Sequence, residues 1–463
     1  MWYFHHYILN PIILIIWKEG SSMPVMNIID WVILGLGLFA CGRILVGLIL
    51  SNIHQIINNP KKFRKELAKT TDPHLKNPRF SILIPAYNEE KTIHDCVKSG
   101  LMQNYPNRQI VVVNDGSNDR THDILEAIYH EFIESQTIDG QAIPKFDQRI
   151  PLDRRLTIIH QANGGKSTAL NHGLRTGVYE PDLITVLDAD SKLAPDALSK
   201  MQKHFLDPKM IACADNVRIE TPHKFIELVQ EIEYLLGYRS KSSEEYLELN
   251  YIIGGIGSTF RYWALKEVNF YDTNTITEDI DLTLKLLNHF GNRRYKFGYA
   301  EDVFAYTPAV HNFKQLLAQR YRWKYGRFAA LFKYNNIIWN TNTKKYSITL
   351  SWWKLPKVFF EEFIMLIDPI MMAWMLFLAV HFLDVSAMST ILIVYGAFAI
   401  ATFIPEPMPM LKRIKLLLLS PFAFGFLYVI NIVDWISLVR CIRHFKDFTS
   451  KKGTQANWVH VDR

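Results

Sequence analysis

Twenty residues at positions 31–50, WVILGLGLFACGRILVGLIL, are interrupted by a single charge, Arg43. A helix of that length spans about 30 Å, the thickness of a bilayer's hydrocarbon core, so this run predicts a membrane-crossing helix. Lys61, Lys62, Arg64, Lys65 and Lys69 follow it, whereas Lys18, Glu19 and Asp30 precede it. That bias of basic residues places whatever comes next in the cytoplasm. Upstream, residues 8–17 are apolar but short, with Pro11 near their start; an interfacial, re-entrant or crossing segment would fit. The segment lacks the basic start and small-residue cleavage pattern of a removed signal peptide.

Strong hydrophobicity returns at SWWKLPKVFFEEF. There Trp352, Trp353, Phe359 and Phe360 beside Lys354 and Lys357 predict an interfacial approach. Residues 365–383, 388–404 and 416–439 then read as spans, with Lys412, Arg413 and Lys415 suiting a cytoplasmic turn. A third crossing would put the tail outside, yet Arg440, Arg443, His444, Lys446, Lys451 and Lys452 favour the inside. Either one apolar stretch is interfacial or re-entrant, or the tail breaks the rule. Asp368 and Asp434 within these stretches are costly unless they face other helices or a polar path.

Composition agrees with a divided chain. At 49% hydrophobic and 21% charged residues, neither a disordered protein nor a bundle of spans alone fits. The net charge of +7 would also suit nucleic acid, but the basic residues flank apolar runs and form no compact basic face, so no nucleic-acid partner is expected. Cys41, Cys96, Cys213 and Cys441 are far apart with no CxxC pair, which argues against a disulfide scaffold or structural zinc site and makes free thiols the default.

Between the apolar regions the pattern changes. FSILI, QIVVV, LTIIH and LITVL read as buried strands, with helices near 89–102, 121–134 and 167–175. This α/β alternation predicts a mostly parallel sheet with its ligand crevice at the carboxyl ends of the strands. Asp188 and Asp190 leave such a strand two residues apart, so both carboxylates can face one hard divalent cation; in an ordinary surface loop they would be solvated or cap a helix. Asp115, after QIVVV, can accept hydrogen bonds from a base or ribose, or belong to a plain Asx turn leading to Asn118 and Asp119. Asn163-Gly-Gly-Lys166-Ser167 offers backbone donors and a cation for an anion, without being a P-loop, because His160 replaces the required earlier glycine; a simple helix cap is the alternative. The loop Ile253–Ser258 gives close backbone access. Glu278 and Asp279 precede the helix DLTLKLLNH, where Asp279 can take a proton or merely stabilise the helix start. Gln319 and either Arg322 or Trp323 share a helical face, the arginine suited to phosphate and the tryptophan to a sugar's apolar side, unless this helix simply docks on the membrane-proximal core.

In order, SILIPAYNEE, VVVNDGS, ANGGKSTALN, LDADS, GGIGSTFR, ITEDIDL and QRYRW resemble the processive glycosyltransferases of family 2, the group with cellulose, chitin, hyaluronan and poly-N-acetylglucosamine synthases. The likeness covers residues 81–323, with one departure: many relatives have two consecutive Asp residues where this chain has Asn114-Asp115. The resemblance implies a GT-A fold, a UDP-sugar donor and inversion at the anomeric carbon. Asp115 would contact uridine, Lys166 the nucleotide side, and Asp188 and Asp190 the diphosphate through Mg²⁺ or Mn²⁺. Asp279 would be the general base, with Glu278 the runner-up, and Gln319, Arg322 and Trp323 would organise the diphosphate and the acceptor end. The compact middle domain and few spans are most similar to the poly-N-acetylglucosamine synthases, which implies UDP-N-acetylglucosamine, a growing glycan acceptor, membrane lipids and accessory synthase or export subunits as partners. A non-processive membrane enzyme adding one sugar to a lipid or short glycan would share these positions. The division expected is a membrane segment and basic linker (1–72), a cytoplasmic catalytic domain (73–340), interfacial and membrane helices (341–440) and a basic tail (441–463).

Overall fold

The computed structural model describes residues 69–381 and 396–444, with 46, 49–53 and 67. The segment expected at 8–17, nearly all of the span expected at 31–50, the basic cluster before Lys69, the first part of 388–404, Cys41 and the tail from 445 lie outside the described residues.

Strands β1 (Phe80–Ala86), β2 (Arg108–Asp115), β3 (Leu156–Gln161) and β4 (Leu183–Val186) are parallel and lie in the order β3-β2-β1-β4. Helices α1 (Ile93–Leu101), α2 (Thr121–Ser135) and α3 (Lys166–His172) carry the chain between them. Their apolar runs are continuous because both faces of the sheet are covered. Leu83, Val111, Val113 and Ile184 enter one core; Ile82, Ile84, Ile110, Val112 and Leu183 enter the other. The sheet continues through β5 (Lys192–Leu193), β6 (Met210–Ile219), β7 (Thr259–Arg261) and β8 (Lys296–Thr307) to give β3-β2-β1-β4-β7-β6-β8-β5. Only β7 and β5 run against their neighbours. The loops after β1 to β4 therefore emerge at one end, where a parallel sheet opens its crevice.

Three helices close that end: α4 (Phe225–Tyr246), α5 (Glu278–Phe290) and α6 (Phe313–Lys333). Beyond them, α7 (Leu355–His381), α8 (Met410–Leu419) and α9 (Ala423–Arg443) form the apolar C-terminal part. Val229, Leu316, Ile430 and Val433 pack together, as do Tyr325, Phe328, Met365 and Leu438, so α9 and α7 rest directly on the layer that shapes the crevice.

The structure departs from the expected membrane segments in one respect. No continuous helix covers 416–439: α8 ends at Leu419, a tight turn holds Ser420–Phe422, and α9 starts afresh. Pro421 in that turn has no N–H to continue the ladder. At ten residues α8 is too short to cross a bilayer; it leaves Met410, Leu411 and Leu418 exposed while Lys412 pairs with Glu231. Among the described residues one helix is long and apolar enough to cross, Gly425–Arg443, with a mean hydropathy of 1.6. The stretch 365–383 falls, as far as it is described, within α7, which starts ten residues earlier and contains Pro369. Trp352, Trp353 and Phe360 are exposed as an interfacial approach requires, but Lys354 turns inward to pair with Glu244. Cys96, Cys213 and Cys441 are free and buried.

Candidate active site

The crevice is a cavity of about 980 Å³. Its wall takes Tyr87 and Glu89 from the loop after β1, Asp115 from β2, Asn163 from the loop after β3, Lys166 from the start of α3, and Asp188 and Asp190 from the loop after β4. Glu278 and Asp279 at the start of α5 and Arg322 and Trp323 on α6 complete it. Apart from Gln319, every residue singled out for the donor, the base or the acceptor borders this one space.

Asp115 is paired in register with Gln161 across β2 and β3. Its carboxylate accepts hydrogen bonds from Gln161 Nε2 at 2.6 Å and from the backbone N–H groups of Gly164 and Gly165, each at 2.8 Å. It thus fixes the shape of the Gly-Gly-Lys loop while bordering the cavity. The Asx turn is present as well, because Asn114 Oδ1 accepts the Ser117 N–H at 3.1 Å. Asn114 turns its Nδ2 to within 3.1 Å of His160 Nδ1 and is absent from the cavity wall.

Lys166 Nζ lies 2.7 Å from Asp188 Oδ1 and 2.6 Å from Glu278 Oε1. Burial opposes a charge on this lysine, but the two carboxylates outweigh it and raise its proton affinity. Asp190 Oδ1 accepts a hydrogen bond from Ser191 Oγ at 2.8 Å. Among the described residues no group of three or more His, Cys, Asp or Glu side chains gathers as a metal cage. Asp188 and Asp190 both border the open space, and carboxylate oxygens are donors of the kind a hard cation takes together with phosphate oxygens and water. The ammonium already seated on Asp188 marks this carboxylate as one that takes a positive partner.

Asp279 Oδ1 accepts the N–H of Ile280 at 2.8 Å, the bond expected of an acid at a helix start. Burial first, and the neighbouring Glu278 charge second, push its pKa up to about 6. Of the two acids, Glu278 is the one bridged to Lys166.

Helix α6 departs from the three-residue expectation. Arg322 and Trp323 line the cavity, whereas Gln319 is buried outside its wall, with its Oε1 lacking a hydrogen-bond partner. Arg320, Lys324 and Arg327 line the cavity instead. Arg320 makes a two-pronged pair with Glu233 of α4, one prong at 2.7 Å, and its guanidinium lies 4.9 Å from the centre of the Trp323 ring. Lys324 and Arg327 both bind Glu362 of α7, Lys324 at 2.8 Å. Positions 320, 323, 324 and 327 form an i, i+3, i+4, i+7 stripe, a signal that was available in the sequence. Toward α9 the wall includes Tyr428, Asn431 and Asp434, spaced three apart, beside Leu427 and Ile430, so Asp434 meets the polar space it requires. The side chain of Asp368 lies outside the described residues.

Behind the Gly-rich loop sits Asp215 of β6, 2% exposed, with no hydrogen-bond partner on either carboxylate oxygen. Gly257, at φ +65, covers it: a Cβ there would stand 2.0 Å from Asp215 Oδ2, so only glycine fits. Burial pushes the Asp215 carboxyl up to about 8 against the opposing pull of Lys241. A carboxyl whose pKa is raised on folding is protonated when folded and ionised when unfolded between those two values. Stability then falls by up to about 1.4 kcal/mol per unit as pH rises from about 4 to about 8. Asp215→Asn should remove that slope, so its melting temperature should exceed the parent's by a margin that widens from pH 5 to pH 8. A constant or shrinking margin would refute the assignment.

Residues 81–268 match the model of glycosyl transferase family 2, and residues 183–432 match that of glycosyl transferase family group 2. The chain belongs to the family 2 glycosyltransferases. The poly-beta-1,6-N-acetyl-D-glucosamine synthase of Staphylococcus epidermidis is 30% identical to this glycosyltransferase over 304 residues, 65% of this chain and 66% of that protein. The synthase of the same name from Staphylococcus aureus (strain COL) is 31% identical over 257 residues, 55% of this chain and 56% of that one. These matches thus span just under two thirds of the first relative and little more than half of the second. A mannosyltransferase of Pyrobaculum calidifontis, solved with GDP-Man and Mn²⁺, superposes with a TM-score of 0.50 over 88% of this chain and 99% of its own, at 18% identity. That likeness concerns the fold, and the α/β layer described above is accordingly of the GT-A type.

Proposed function

We propose that this glycosyltransferase is a membrane-bound, inverting polymerase that extends a β-linked glycan from a UDP-sugar, with UDP-N-acetylglucosamine the favoured donor. The carrying observation is the single cavity that joins Lys166, Asp188, Asp190 and Asp279 at the sheet to Arg322 and Trp323 on α6, and runs on to Asn431 and Asp434 of the apolar α9. The names of the staphylococcal relatives support the choice of sugar.

In this reading residues 73–340 form the cytoplasmic catalytic domain and the apolar segments on both sides hold it at a multi-pass membrane platform. Asp115 shapes the loop that meets uridine, and Lys166 and Arg322 face the diphosphate. Asp188 and Asp190 would hold Mg²⁺ or Mn²⁺, which supplies neutralising charge for the diphosphate. Asp279 takes the proton of the acceptor hydroxyl as that oxygen bonds to the anomeric carbon, and the bond from this carbon to the β-phosphate oxygen breaks, releasing UDP. Such direct displacement inverts the anomeric centre and needs one base and a stabilised leaving group. Trp323 offers an apolar face to the acceptor sugar. The growing chain would leave past α9, with lipids and any accessory export subunits around it.

The test is to incubate the purified full-length protein in detergent with a panel of labelled nucleotide sugars and divalent ions, and to determine product length and linkage. A ladder of long β-linked N-acetylglucosamine chains is expected; a single added sugar would overturn polymerisation. In sealed vesicles, product confined to the cytoplasmic side would overturn export. Asp190→Asn should mainly impair metal-dependent binding of the diphosphate, raising the Mn²⁺ concentration needed for half-maximal rate by about tenfold or more. An unchanged metal requirement would remove Asp190 from the cation's ligands.

A further inference from the structure

We infer that Lys166 is a resident counter-ion that a divalent cation must displace from Asp188, so that cation binding is made conditional on the donor's diphosphate. The inference rests on the proposal that Asp188 and Asp190 are the cation's carboxylates. Four acids, Asp188, Asp190, Glu278 and Asp279, line one cavity. Left bare, such a cluster would attract a divalent cation whether or not a sugar donor were present. Lys166 changes that balance. Its ammonium bridges Asp188 at 2.7 Å and Glu278 at 2.6 Å, linking the loop after β4 to the start of α5. An ammonium and a divalent cation on the same carboxylate repel one another, so an incoming cation weakens the Lys166 bond and is itself weakened by it. A diphosphate resolves the conflict, because it offers Lys166 new charged acceptors and supplies further oxygens to the cation. Donor and cation then tighten each other's binding by the same factor, as linkage demands. Glu278 has a defined part in this arrangement: it retains Lys166 at the site while Asp188 is released.

The test measures Mn²⁺ binding to the full-length protein by electron paramagnetic resonance, with and without UDP. The parent should bind Mn²⁺ weakly alone and more tightly with UDP. Lys166→Met should bind Mn²⁺ without UDP about tenfold more tightly than the parent, and UDP should add much less. Lys166→Arg keeps the positive charge and should keep the parent's weak donor-free binding, which a merely structural role for the lysine would not predict. Donor-free affinity in Lys166→Met equal to or weaker than the parent's would overturn the inference. A second measurement needs no variant: in the parent, acetylation of Lys166 followed by mass spectrometry should speed up with Mn²⁺ alone and slow again when UDP is added. Unchanged labelling would also overturn it. Asp190→Asn, which leaves Lys166 and Asp188 intact, separates this failure from that of the underlying proposal. If Asp190→Asn binds Mn²⁺ in the presence of UDP as well as the parent does, the carboxylate assignment falls; if it binds more weakly while Lys166→Met shows no gain, only the counter-ion role falls.

Discussion

Asp279→Asn should give a folded protein that still binds UDP but transfers sugar about 10²- to 10⁴-fold more slowly, the range a positioned general base contributes. The amide keeps the size of the side chain and can still accept the Ile280 N–H that Asp279 Oδ1 takes at 2.8 Å, so the start of α5 should be preserved. What is lost is the oxygen that can receive a proton. Burial and the adjacent Glu278 raise Asp279 to about 6, well placed to be deprotonated yet still basic near neutrality. With that pKa, kcat/KM should rise as pH passes through about 6 and the ionised carboxylate accumulates, and Asp279→Asn should lose that limb. Glu278→Gln should behave differently, because Glu278 is bridged to Lys166 and its removal disturbs donor and cation binding before it touches the proton. Near-normal transfer by Asp279→Asn, or a larger loss of transfer at saturating donor in Glu278→Gln, would reassign the base.

The strands and the residues that follow them were legible because a parallel sheet buried on both faces writes continuous apolar runs, and its crevice must lie where those runs end. Asp115 ends one strand, Asp188 and Asp190 lie in the loop after another, and Lys166 begins the helix that follows a third, and all border the same cavity. Helix α6 was less legible. A pair of residues sharing one face describes a helix with one buried side, but α6 packs on α5 and α9 while also walling the cavity, so Arg320 and Arg327 enter the wall and Gln319 is buried elsewhere. The ion pairs Arg320 with Glu233 and Lys324 with Glu362 join positions 87 and 38 residues apart, a separation that no local pattern carries. Asp215 was missed for the opposite reason: inside β6 it interrupts an apolar run, and only the third dimension places Gly257 over it. The break at Pro421 was readable as a helix breaker, yet hydropathy on both sides concealed it. The span expected at 416–439 becomes Gly425–Arg443, one apolar helix in place of another, so the conflict between an outside tail and its basic residues stands.

Gly326→Ala should cost about a hundredfold in transfer although the substitution adds one methyl group and touches no substrate. Gly326 lies on α6 between the residues that wall the cavity, and a Cβ there would stand 2.1 Å from Thr277 Oγ1 and 2.4 Å from Thr277 Cγ2. Thr277 is buried immediately before the Glu278-Asp279 pair, so this contact sets the distance between Asp279 and the helix that carries Arg322 and Trp323. Thr277 is short and branched, with no flexible end to swing away, and α6 and the start of α5 must therefore separate. Overpacking of this kind costs about 1–3 kcal/mol of stability. The catalytic loss is larger because displacing reacting groups by about 1 Å can cost about 10²-fold in rate. Adding Thr277→Ala to Gly326→Ala removes the two atoms nearest the new methyl group and should recover much of the lost rate, whereas Thr277→Ala alone should be mild. Melting temperature and transfer rate measured across the four proteins decide the matter. If Gly326→Ala transfers normally, or if Thr277→Ala fails to rescue it, then the spacing between α5 and α6 is not set by this contact.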